Sequence, residues 1–301
     1  MAHVDERNVT GLASEYGVPA DVATELAGLL RSCVLLVRKA DLPDADREDV
    51  LPAGLTGGLP PLPGGEDRGE GGDGGAPADP FVPAVDCAAL PRDFLDIEIP
   101  SDGQLLFFTT FAYEPEDSRV LHVPAVGSIR ERPSPENVGG GPRTVVYAPR
   151  LLYPVPGLTI DHDWRSADLV RTFLDGAGES GGGGFGAGAE VLDRFVEALV
   201  NSVHAGTPPH SVAQIGGFSD QWQVPPDQDG LVLLAQISGN GVDHGLFTLN
   251  LVVALARTSP PDAGGTFTSS SSADVVGVAA VTRPFLSLPG SLRPRSERAP
   301  P

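Results

Sequence analysis

Ile215-Gly216-Gly217-Phe218-Ser219-Asp220-Gln221-Trp222-Gln223 decides how this chain is read. It is followed by Leu231-Val232-Leu233-Leu234-Ala235-Gln236-Ile237 and by Gly245-Leu246-Phe247-Thr248-Leu249. The same order stands in the first half: Thr56-Gly57-Gly58-Leu59-Pro60-Pro61-Leu62-Pro63, then Phe81-Val82-Pro83-Ala84-Val85-Asp86, then Gly103-Gln104-Leu105-Leu106-Phe107-Phe108. Each set is a Gly-Gly turn, a strand with a buried face, and a strand introduced by glycine. Glycine enters positive φ without steric cost, so the doublets Gly57-Gly58 and Gly216-Gly217 mark paired turns. The repetition predicts an α+β fold, mainly antiparallel β, built of two pseudo-repeated halves.

Working outward, the first half spans about residues 32–153 and the second about 212–288. Strands are expected over 34–37, 81–85, 105–113, 119–123 and 144–153, then over 231–237, 246–256 and 275–281. A short N-terminal helix is expected over 18–31, with Pro19 at its first position and Val22, Leu26, Leu29 and Leu30 on one face. Two helices are expected between the halves. Ser166–Leu174 carries Leu169, Val170, Phe173 and Leu174 on its apolar face. Glu190–Val203 buries Val191, Leu192, Phe195, Val196, Leu199 and Val203 and ends at Gly206. The segments 64–79, 178–188 and 259–273 hold too little apolar surface to order themselves and read as disordered insertions, with 291–301 a disordered tail. The whole reads as one domain over 1–290.

Composition narrows the function. The 301 residues include 38 glycines and 30 prolines, so much of the chain is turn and loop. Forty acids against twenty bases give a net charge of −20, and Lys39 is the lone lysine. Such a chain repels phosphate backbones and anionic lipid, which argues against nucleic acid and membrane partners and admits a basic protein. The N-terminus has no basic flank or apolar core of a signal peptide, and no apolar run approaches a bilayer span; a cytoplasmic protein is expected. Cys33 and Cys87 lie among apolar residues, as buried reduced thiols do.

These stretches resemble the YwqG-like family of bacterial proteins, a domain without an assigned activity. The family pairs Gly-Gly-x-Pro-x-x-Pro with a strand similar to Phe81-Val82-Pro83-Ala84-Val85-Asp86-Cys87-Ala88-Ala89-Leu90-Pro91. Gly103–Phe108 and Val120-Leu121-His122-Val123-Pro124 follow its next two strands. Gly216-Gly217-Phe218-Ser219 with Gln223, and Leu233–Ser238, fit its late motif. The resemblance covers about residues 32–290 and implies a mainly β, duplicated α+β fold and no cofactor. The chain departs from it where Ala84 stands for a first-half Gln, Ser219 for a frequent Pro, and Ser238 for an acid.

Chemistry-bearing residues are few. Gly217-Phe218-Ser219-Asp220-Gln221 lacks the final glycine of a Gly-x-Ser-x-Gly elbow, and Pro225-Pro226 forbids the helix that should follow. His244, the candidate base, has a neighbour, Asp243, that points away in an extended segment. Asp161-His162-Asp163, and His204 with His210, lack the three or four convergent ligands that zinc requires; the first cluster suits a helix start. Gly184–Gly188 has neither a preceding strand nor a Gly-Lys-Ser/Thr. Trp222, Gln223, Gln236 and Asp220 form the remaining polar–aromatic set. A buried Gln236 must find partners: it either ties down the Gly216-Gly217 turn or lines a groove that reads a peptide backbone. The expectation is a non-enzymatic binding or interaction module without cofactor, an acidic partner of a basic protein of the immunity type. The alternative is a hydrolase using Ser219 or a metal-assisted site at Asp161-His162-Asp163.

Overall fold

A computed structural model describes residues 6–43, 47–63, 81–108, 119–125, 129–131, 148–176, 187–204, 209–220, 231–239, 247–254, 275–276 and 279–284. Helices α1 (Glu6–Tyr16) and α2 (Ala20–Gly28) lead into β1 (Leu30–Arg38). Strands β2 (Gly54–Thr56), β3 (Pro61–Pro63), β4 (Phe81–Asp86), β5 (Gln104–Phe108), β6 (Arg119–Val123) and β7 (Ile129–Glu131) follow. Next come β8 (Arg150–Ile160), α3 (Asp168–Gly176) and α4 (Ala187–Val200). The chain continues through β9 (Ser211–Ile215), β10 (Leu231–Ser238), β11 (Phe247–Ala254), β12 (Val275–Val276) and β13 (Ala279–Pro284). Eleven strands form one sheet in the order β12-β6-β5-β4-β2-β8-β1-β9-β10-β11-β13; β3 and β7 pair separately. Every pairing is antiparallel, so the fold is α+β and mainly antiparallel β.

The two halves meet by exchanging first strands. The pair β1–β8 runs the length of β1, from Leu30↔Ile160 to Arg38↔Leu152. β2 of the first half then pairs with β8, while β9 of the second pairs with β1. The registers correspond residue by residue. Thr56↔Arg150 and Leu55↔Leu151 on one side match Ile215↔Val34 and Gln214↔Leu35 on the other. Ala84, opposite Leu55 and Leu106, matches Gln236, opposite Gln214 and Asn250. A bulge that adds one residue lies between Phe81 and Ala84 in β4 and between Leu233 and Ala235 in β10. Because a bulge re-aims side chains and pins register, its recurrence is a strong mark of duplication. At the far ends, Val276 pairs with Val120 and Ala279 with Val252. Three peptide units span at most about 11 Å, so the two margins of the sheet come together and the sheet curls on itself.

Apolar residues fill one face of the sheet with Val34, Leu36, Val85, Leu105, Phe107, Leu152, Ile215 and Ile237. The helices form a second layer over the far end of β1 and β8, where Leu26, Leu30, Leu158, Val170, Leu192, Phe195 and Leu199 pack together. In α4 the spacing of Leu192, Phe195, Val196 and Leu199 puts all four in that layer, as the sequence predicts.

Several expectations need correction. The helix expected over 18–31 stops at Gly28, and Leu30 opens the strand instead of extending the helical face. Helix α1 is unforeseen, because Val9, Thr10 and Gly11 weaken its signal. The predicted linker 178–188 runs two residues too far, since Ala187 and Gly188 already begin α4. Of the strand expected over 144–153, residues 144–147 lie outside the described residues; the observed strand is Arg150–Ile160, whose second half Pro154 and Pro156 disguise. The repeated pattern aligns Gly103 with Gly245, but the register sets it level with Phe247 (Gln104 and Thr248 are equivalent). A two-residue offset keeps every side chain on its face, so alternation alone cannot detect it. The expected insertions 64–79 and 259–273, the tail 291–301 and the Gly206 terminus lie outside the described residues.

Leu169 does not join the apolar face expected for it; it is 39% exposed. Ser166, where the helix is expected to start, lies in the turn before Asp168, and its hydroxyl donates to Asp163. The Glu25 carboxylate of α2 accepts from Leu169 N–H at 2.9 Å and Val170 N–H at 3.1 Å, capping α3 across the interface. Glu25→Ala should lower the free energy of unfolding by about 1 kcal/mol, read from denaturant midpoints at unchanged slope.

Candidate functional site

The second Gly-Gly turn gathers polar side chains from several separate elements. Strand β9 is followed by Gly216 and Gly217, at φ 71° and 75°, a conformation that L side chains rarely adopt. Gly216 N–H donates to Leu234 O at 3.2 Å. Gly217 N–H donates to Asp96 Oδ1 at 2.8 Å, and Phe218 N–H to Thr159 Oγ1 at 2.8 Å. Gln214 Nε2 donates to both Gly216 O and Phe218 O at 2.9 Å. Asp220 N–H donates to Gln236 Oε1 at 3.1 Å. Three strands (β8, β9 and β10) and one loop thus hold four residues of backbone in a single shape.

Packing removes what freedom remains. A side chain on Gly216 would run into the Asp96 carboxylate; one on Gly217 would lie 2.9 Å from Cys33 Cβ. The Arg31 guanidinium covers the Phe218 ring at 4.0 Å and sits 4.0 Å from Asp96 Oδ2. Such a cation–π contact contributes about 0.5–1 kcal/mol at an exposed site. Asp220 is exposed as a residue, yet burial around its carboxyl raises its pKa while a hydrogen bond from Gln236 opposes the rise. Ser219 is 4% exposed.

The structure therefore brings together Gly216, Gly217, Ser219, Asp220 and Gln236 from the predicted set. Gly57 and Gly58, both at φ 72°, form the matching turn of the first half. Trp222 and Gln223 lie outside the described residues, as do Gly184–Gly186 and His244. Gln236 holds Asp220 N–H, whereas Gln214 is the amide that ties down the Gly-Gly turn itself. Sequence reasoning missed Gln214, although an amide between Ala213 and Ile215 carries the same signal as Gln236. Asp96, Thr159 and Arg31 had none, because each reaches the turn from a remote element.

The other clusters serve local structure. Asp161 Oδ1 accepts from Asp163 N–H at 2.9 Å and lies 2.9 Å from His162 Nδ1, shaping the turn after β8. Among the described residues no group of three His, Cys, Asp or Glu converges as a metal site. His204 is half-buried and its pKa is lowered by that burial. His210 is exposed. Among the described residues no helix is long and apolar enough to cross a membrane. Comparison with protein-family models finds no match, and no curated protein or solved structure compared matches the chain.

Both thiols are free and buried. Burial pushes Cys87 up to about 11, against a partial lowering by Arg92, and raises Cys33 further, with Asp96 adding to the rise. A thiol held neutral in the fold favours folding equally at all pH below its unfolded value of 9.0; the penalty appears as pH climbs through 9 toward 11. Stability should fall across that window, and Cys87→Ala should flatten the fall in urea titrations at pH 8, 9 and 10. Gly17, which ends α1 at φ 70° with open space around it, provides a reference for the turn. Gly17→Ala should cost about 1–2 kcal/mol for the left-handed backbone alone. Gly217→Ala should cost at least twice as much, because Cys33 and Thr159 must also move.

Proposed function

We propose that this protein is a non-enzymatic binding module, cytoplasmic and YwqG-like, whose acidic surface engages a basic protein partner in the manner of an immunity protein. The observation that carries the reading is the commitment of the polar groups at the second turn. Gln214, Asp96, Thr159 and Gln236 each hold backbone of the turn, and Ser219 is buried, which supports a structural use of these groups. The likeness to the family is supported by where its motifs fall: Phe81–Asp86 and Leu233–Ser238 occupy equivalent strands in equivalent register.

Charge supplies the specificity. With a net charge of −20 the chain attracts a cationic surface over a Debye length, speeding encounter and making capture salt-sensitive. On the helical layer Arg171 pairs with Asp168 at 2.9 Å and Arg165 pairs with Asp193, while Asp161, Asp175 and Glu197 add further negative charge. Affinity capture from lysate should recover a basic protein whose association rate falls at least tenfold between about 0.05 and 0.5 M salt. Salt-independent capture of acidic proteins would overturn the reading. So would a hydrolase profile in which Ser219→Ala or His162→Ala abolishes a turnover that the folded parent possesses.

A further inference from the structure

We draw no further inference here: the strongest candidate, the exposed apolar patch of Leu51 and Leu151 beside β2, carries nothing because nothing in the structure shows what covers it.

Discussion

The pairing of β1 with β8 is the constraint from which the rest of the molecule is built. Each strand offers one edge to the other and its second edge to the partner half, so the sheet grows outward in both directions from this seam. Val34, Leu36 and Leu152 on one side of the pair are fully buried in the main core. Leu30 and Leu158 at its far end anchor the helical layer. The local symmetry explains why the Gly-Gly turns lie on opposite sides of the seam and take the same backbone form. It also explains how Thr159 of β8 and Arg31 of β1 reach a turn that belongs to β9: they are its neighbours across the exchanged pair.

Duplication supplies an internal comparison. The row Leu55–Ala84–Leu106 of the first half is the row Gln214–Gln236–Asn250 of the second. Leu106 is fully buried with Phe81, Phe108, Leu121 and Val123 around it, whereas Gln214 and Gln236 turn their amides to the backbone of the neighbouring loop. One repeated strand arrangement is used in two ways, for apolar packing and for polar fixing of a loop. A buried amide is tolerable only when satisfied, and here two carbonyls and an N–H satisfy the pair.

Much of this architecture was legible in the sequence because duplication repeats its punctuation. The glycine doublets and the strands at Phe81, Leu105, Arg119 and Leu231 stood out by spacing and residue type alone. Strands of three residues such as β2 carry too little pattern to be read, and β8 is masked by its two prolines. Strand order was invisible, because exchange of β1 and β8 is a long-range event with no local signature. The candidate site divides the same way: Gly216, Gly217 and Gln236 announced themselves, while Asp96 and Thr159 are ordinary until the fold sets them beside a glycine.

The exchanged seam also sets a timetable for synthesis. β1 leaves the ribosome with its apolar residues complete, yet the strand that covers one of its edges follows about 120 residues later. At a typical ~5–20 residues per second the nascent chain waits about 6–24 s before β1 can find β8. Such distant pairing folds slowly compared with local contacts. During that interval Val34, Leu36 and the edge of β1 wait for their partners.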